Sequence, residues 1–284
     1  MSNKKITEYY PNQRHEVGLF RIWVIVIRNV IASKDLIFQL FKRDFTAQYK
    51  KSFIGLGWAF IMPIFGIASW VLMQMTGVLQ PGDVGVPYPV YVLIGSSCWG
   101  LFTSFQGAAG STLTSAGGLL QQVKFSHEAI LFKQILLQIV NFAISFTLIL
   151  IAISAFGYPP KWQAIFSPLL MIPIFFYGTT IGLVMAMVNV VAVDISRIVG
   201  RVMQFAIYTA PIVYSPNIDN WFLQLINKWN PLTYLVCSMR DLFLYGRVYD
   251  WQGLLISSAI GFFAFMFVWR MFYVSEDKLV ERMI

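Results

Sequence analysis

Gln134–Pro160 reads QILLQIVNFAISFTLILIAISAFGYPP, 27 residues without an Asp, Glu, Lys or Arg. A helix that crosses a bilayer needs about 20 predominantly apolar residues, so this stretch is long enough for one crossing. Working outward from it, five more charge-free stretches appear: Ser52–Gly82, Val84–Val123, Trp162–Val193, Val202–Ile218 and Trp251–Trp269. Together they predict spans near Leu56–Gly77, Tyr91–Leu113, Ile135–Phe156, Ile165–Val193, Ser196–Tyr214 and Leu254–Phe272. The expected fold class is an all-α integral membrane protein with six transmembrane helices. The fifth span is short and ends at Pro211, so it either uses its charged start or breaks partway. A β-barrel is disfavoured, because barrels show short alternating segments rather than long apolar runs.

Composition agrees. Apolar residues make 57% of the 284 and charged residues only 12%, against roughly 25% charged in soluble domains. That is too little charge to cover a soluble surface, and too much apolar content for disorder. Two cysteines build neither a disulfide framework nor a cysteine-rich zinc site. The cations set the orientation. With the N-terminus inside, the cytoplasmic segments carry 17 Lys and Arg and the outer segments carry 4. Both termini are therefore expected in the cytoplasm, and the net charge of +8 is mainly a topology signal rather than a nucleic-acid footprint. Residues 1–20 are polar, so no secretory signal is expected before the first span.

Two units are expected, a cytoplasmic N-terminal segment (1–53) and a transmembrane domain (54–284). In the first, Phe20–Ile31 is too short and too charged to span. Leu36–Lys51 repeats Ile37, Phe41, Phe45 and Tyr49 every four residues, with Lys42, Arg43 and Lys50 on other faces. This pattern predicts an amphipathic helix at the membrane interface. The second span holds Ser96, Ser97, Thr103, Ser104 and Gln106 among several glycines, which suits close helix packing or a wall facing a polar solute. Gly178-x-x-x-Gly182 in the fourth span is read as packing. Between the fifth and sixth spans, Trp221–Trp229 and Leu232–Tyr245 are apolar but short, and are expected to be re-entrant or interfacial helices.

Catalytic constellations are scarce. His15 and His127 stand far apart, and no H-E-x-x-H or phosphate-loop motif occurs. The spans carry no carboxylate apart from Asp194 at a boundary, which argues against an ion-coupled carrier. If transport is ATP-driven, the ATPase is another chain. Asp194, Arg197 and Arg201 share one face of a helix at the cytoplasmic start of the fifth span. Tyr91, Phe102 and Phe105 share a face of the second span, and Trp58 and Phe65 share one on the first. Rings beside hydroxyls and amides suit a sugar polymer, whose C–H faces stack on rings while its hydroxyls exchange hydrogen bonds. For any single ring, core packing is the better explanation.

Four motifs, in order, carry a family resemblance. They are Lys42-Arg43-Asp44-Phe45 through Gln48-Tyr49-Lys50-Lys51-Ser52-Phe53-Ile54-Gly55 with Trp58 and Pro63; Lys124-Phe125 through Glu128 to Leu131; Asp194-Ile195-x-Arg197 followed by Ala210-Pro211-Ile212-Val213-Tyr214-Ser215-Pro216; and Asn230-Pro231-Leu232 followed by Arg240 and Gly246. The chain resembles the membrane subunits of polysaccharide-exporting ABC transporters, a group that includes O-antigen permeases (Wzm-type), capsule exporters and teichoic-acid exporters. Gln48, Ile54 and Ser126-His127 depart from the family pattern.

The resemblance implies a homodimeric pore in the bacterial inner membrane. It implies two copies of an ABC ATPase subunit that hold ATP and Mg, with no cofactor on this chain, and an undecaprenyl-linked polysaccharide as substrate. Ser115–Glu128 would form a coupling helix, with Val123, Lys124, Phe125, Glu128 and Arg197 as the ATPase-coupling residues. The channel would be lined by the first, second and fifth spans, with Trp58, Phe65, Tyr91, Phe102, Phe105 and Tyr208 along the glycan path. The chain itself is then no enzyme. The rival readings are an ABC permease for a smaller lipid or drug, and a membrane-embedded glycosyl- or acyltransferase.

Overall fold

A computed structural model describes residues 18–49, 53–55, 57–112 and 127–281. The described residues form helices α1 (Leu19–Ala32), α2 (Lys34–Tyr49), α3 (Gly57–Met75), α4 (Tyr88–Gly110), α5 (His127–Ala155), α6 (Met171–Val191), α7 (Val193–Phe205), α8 (Trp221–Trp229), α9 (Pro231–Leu244) and α10 (Trp251–Glu281). Short 3-10 segments at Trp162–Leu170 and Ala206–Thr209 precede α6 and follow α7. No strand occurs among the described residues.

Four helical stretches are long and apolar enough to cross a membrane: Gly57–Met75, Ala129–Ala155, Trp162–Val191 and Trp251–Ser275. The other two expected spans differ from these for physical reasons. At 23 residues, α4 has the length to cross, but its serines, glycines and Gln106 make it more polar than the others. At 13 residues, α7 rises only about 20 Å. The fifth span thus breaks partway: α7 gives way to a 3-10 turn at Ala206, and the backbone is non-helical from Ala210 to Asn220.

The core is built around α4. Gly178 and Gly182 face α4, and a Cβ at Gly178 would meet Phe102 O at 2.6 Å and Phe105 Cβ at 2.8 Å. A Cβ at Gly182 would collide with Gln106 O. The small-xxx-small pattern is therefore a packing device, and α4–α6 is the most extensive helix contact in the fold.

The N-terminal helices lie against the bundle. In α1, Ile22 and Val26 are buried, and the Trp23 ring stacks on Trp269 of α10 at 5.7 Å. In α2, Ile37 and Leu40 are buried, Phe41 and Phe45 of the four-residue repeat are half-buried, and Lys42 and Arg43 are exposed. Lys133 of α5 donates to Asp44 of α2 at 2.7 Å, which ties the amphipathic helix to the start of the third predicted span. Burial raises the Asp44 carboxyl, but hydrogen bonds from Lys133 and Arg43 outweigh it and leave Asp44 below its ordinary value.

Asparagine caps set the two short helices α8 and α9. Asn220 accepts from Phe222 N and Leu223 N at the start of α8, and Asn230 accepts from Leu232 N at the start of α9, with Pro231 at the first helical position. Both helices sit where the sequence predicts them.

Candidate functional site

The six predicted path rings divide into two sets. Tyr91, Phe102 and Phe105 are only 2%, 2% and 3% exposed. Phe102 packs on Trp99 (ring centroids 5.1 Å apart) and Phe105 on Phe175 of α6 (5.3 Å). These three rings are buried within the single subunit, although Phe105 and Tyr91 each border a cavity. Phe102 and Phe105 lie where the α6 glycines draw the two helices together, whereas Tyr91 is covered by the segment 211–214 and Arg240. By contrast, Phe65 on α3 is 68% exposed and Tyr208 is 48% exposed, with Trp58 half-buried. Tyr208 meets Trp70 of α3 edge-on at 5.8 Å, so α3 and the end of the fifth span share one surface.

That surface is the least covered part of the bundle. Ile67 is the one buried residue of α3 among the described residues. On α7, Ile195, Ile198, Val202 and Phe205 are all exposed. Two polar recesses open beside it. One, of about 360 Å³, lies between α3, α4 and α5 and is lined by Ser96, Ser97, Ser104, Gln138, Asn141 and Ser145 among apolar neighbours. The other, of about 260 Å³, lies between α4 and α7 beside Thr103, Gln106 and Gln204. The polar residues of α4 thus face α3 and α5 on one side and α7 on the other.

The end of the bundle where the fifth span breaks is built differently. Where the fifth span breaks, its carbonyls lose their helical partners, and side chains from α4 and α9 replace them. Tyr88 Oη donates to Val213 O at 2.9 Å and Tyr91 Oη to Tyr214 O at 2.7 Å. Arg240 Nη2 donates to Pro211 O at 2.9 Å, and Asn230 Nδ2 to Thr209 O at 2.7 Å. The Arg240 guanidinium, buried, sits 3.5 Å from the Tyr91 ring centroid, a cation–π contact at a desolvated site. Gly95 makes room: a Cβ there would meet Arg240 Nη2 and Ile212 O, each at 3.0 Å. This clamp joins the segment 209–214 to the Asn-Pro helix start and to Arg240. The third and fourth motifs, far apart in sequence, are thus bonded to each other.

Motif reading alone missed the roles of Tyr88 and Arg240. A signal was present. Arg240 is a lone cation inside the apolar stretch Leu232–Tyr245, and such a residue needs a partner at membrane depth. Of the predicted coupling residues, Val123, Lys124 and Phe125 lie outside the described residues, as does the proposed coupling segment up to residue 126. Glu128 is in the first turn of α5. Arg197 is exposed on α7 and pairs with Asp194 at 3.5 Å, a surface pair worth little by itself. The structure does not bring Arg197 to the Asp44–Lys133 pair. Among the described residues, no cluster of three His, Cys, Asp or Glu is placed to hold a metal.

With this geometry in view, a family model for ABC-2 type transporter membrane proteins matches residues 35–244, from α2 to the end of α9. The chain belongs to the ABC-2 type transporter family. This ABC-2 chain is 23% identical over 259 residues to a protein of Myxococcus xanthus named O-antigen export system permease protein RfbA, covering 90% of this chain and 97% of that one. It is 21% identical over 229 residues to a Klebsiella pneumoniae protein of the same name, covering 80% and 87%. As a member of the ABC-2 family it is a multi-pass membrane permease, the non-enzymatic component of its transporter, and it implies a separate ATPase partner.

Proposed function

We propose that this chain is the transmembrane subunit of an ATP-driven exporter that moves an undecaprenyl-linked O-antigen polysaccharide from the cytoplasm to the outer face of the bacterial inner membrane. Two copies pair along the uncovered α3–α7 face, and two ATPase subunits dock beneath them and hold ATP and Mg. Both termini are cytoplasmic. Residues 1–53 form the interfacial lead, and the six-span domain from residue 54 carries the path. The segment 115–128, with Val123, Lys124, Phe125 and Glu128, contacts the ATPase together with Arg197 of α7.

The observation that carries this reading is the α3–α7 face itself. It is uncovered in the single subunit, bears exposed rings at Phe65 and Tyr208, and is flanked by uncharged polar recesses. An ion-coupled carrier needs buried charge along its path. A sliding sugar polymer instead needs rings and neutral hydrogen-bonding groups that hold it weakly and repeatedly. The near full-length similarity to named O-antigen permeases supports the substrate class. Of the six rings first assigned to the path, Trp58, Phe65 and Tyr208 keep that role, and Tyr91, Phe102 and Phe105 support the wall from behind.

Gene deletion with complementation tests the reading. The expected result is loss of surface O-antigen with lipid-linked polymer retained inside the cell, and co-purification of the complementing protein with an ABC ATPase. Unchanged surface O-antigen after deletion refutes it, and a defect confined to a smaller lipid or drug reassigns the substrate.

A further inference from the structure

The recess between α3, α4 and α5 is not accounted for by packing. Four serines, one glutamine and one asparagine from α4 and α5 converge on it. The Ser96 Oγ is buried and has no hydrogen-bond partner. The hydroxyls of Ser97, Ser104 and Ser145 likewise make no hydrogen bond among the described residues. A helical Ser or Thr at membrane depth ordinarily folds its hydroxyl back onto its own helix. Thr103 of α4 does so onto Trp99 O at 3.1 Å, and Thr147 of α5 onto Ala143 O at 2.9 Å. The recess serines therefore differ from their neighbours on the same helices.

Gln138 is only 5% exposed, yet its single side-chain contact is a long 3.4 Å bond accepted from Asn141. An amide has two donors and two acceptor sites, so most of the capacity of this pair is unused. Polar groups that glue helices together satisfy one another. These instead line a cavity of about 360 Å³, within the range of small-molecule sites. No charged residue lines it, and Trp70 forms one wall, braced by Tyr208. Unused neutral donors and acceptors beside an aromatic face are complementary to a polyhydroxylated ring, whose hydroxyls take the hydrogen bonds and whose C–H face covers the indole. A charged headgroup finds no counter-ion there, and a hydrocarbon chain would leave the amides unsatisfied.

We infer that this recess is a subsite for one uncharged sugar unit, read by Gln138 and Asn141 of α5 with the serines of α4. This rests on the polysaccharide-export reading and deepens it. It adds α5 to a path otherwise assigned to α3, α4 and the fifth span, and makes α5 the helix that senses sugar identity.

The test is substrate protection of introduced thiols. In a full-length Cys98→Ala, Cys237→Ala background, Ser97→Cys and Ser145→Cys are each reacted with a small water-soluble methanethiosulfonate. The inner-membrane vesicles come from cells making the surface polymer and from cells blocked at the first sugar transfer. Both thiols are expected to react in polymer-free membranes and to react about tenfold more slowly when the polymer is made. A control at the lipid face, Ile151→Cys, stays unreactive in both. Reaction without protection means that the recess holds only water, and overturns the inference; so does no reaction at all. Asn141→Leu provides a second reading, with export of the native polymer falling about tenfold while ATPase co-purification is retained. Full export by that variant also overturns it. If deletion of the gene abolishes surface polymer but no protection is seen, the subsite alone fails and the transport reading stands.

Discussion

The clamp at the broken fifth span and the α3–α7 face are built from the same residue types to opposite ends. In the clamp, the carbonyls of a broken helix are met by Tyr88, Tyr91, Asn230 and Arg240, and the rings that face inward are covered. On the α3–α7 face, tyrosine and phenylalanine stand exposed and the serines beside them are unpaired. The clamp pairs the freed carbonyls, with Arg240 Nε left as a buried donor without a partner, and such a mostly paired buried network is rigid. A surface with unused donors and uncovered rings is left for something else to complete. On the proposed reading, the difference separates the part of the subunit that holds its shape from the part that meets substrate and partner.

Arg240→Ala should have the largest effect. It removes charge-assisted hydrogen bonds to the broken segment and the cation over Tyr91, and should cost about 3 kcal/mol of stability. In detergent, a thermal-shift assay should show a clear loss, partly restored by Arg240→Lys. An unchanged transition would mean that the clamp is not a structural lock. Next is Gly182→Leu, which forces α6 away from the Gln106 backbone. Overpacking of this kind costs about 2 kcal/mol, read as reduced membrane yield and a lower transition temperature, with no change in export per surviving molecule. Tyr91→Phe loses one hydrogen bond, to Tyr214 O, for about 1 kcal/mol. Its export per molecule should match the parent. A lowered rate at unchanged stability would return Tyr91 to the glycan path.

Asp44→Asn should have the smallest effect, about 1 kcal/mol or less, because the pair with Lys133 is only partly buried. Its pH dependence has a fixed sign. The folded carboxyl lies below its ordinary value of 3.8. Its contribution is therefore complete above that value and is lost as pH falls through the lower folded value. An acid-denaturation profile of the parent should show this loss, and the asparagine variant should not. The result would sharpen the comparison by showing how loosely the interfacial lead is tied, relative to the clamp.

Much of this division was legible in the sequence. The long apolar runs located α3, α5, α6 and α10 because a bilayer imposes a minimum length on any crossing helix. Pro211 and the shortness of the preceding run marked the break in the fifth span, and Asn230-Pro231 marked the start of α9. The side a ring faces was not legible. Tyr91, Phe102 and Phe105 share a helical face, but only the approach of Gly178 and Gly182 buries Phe102 and Phe105, and only the broken segment with Arg240 buries Tyr91. Within a membrane, hydropathy no longer separates inside from outside, since lipid is as apolar as the core. The polar residues of α5 were equally hard to read, because Gln138, Asn141 and Ser145 meet the α4 serines only once the bundle is assembled.

The central claim is that exposed rings on the α3–α7 face carry the polymer and that buried rings on α4 carry the fold. The most direct test is export rate per molecule of membrane-inserted protein for two double variants, Phe65→Ala with Tyr208→Ala and Phe102→Ala with Phe105→Ala. The account predicts that the first pair lowers the rate about tenfold at normal protein level and normal ATPase co-purification. The second should lower the protein level while each remaining molecule exports as before. Normal export by the first pair, or a slowed per-molecule rate at full protein level in the second, would contradict it.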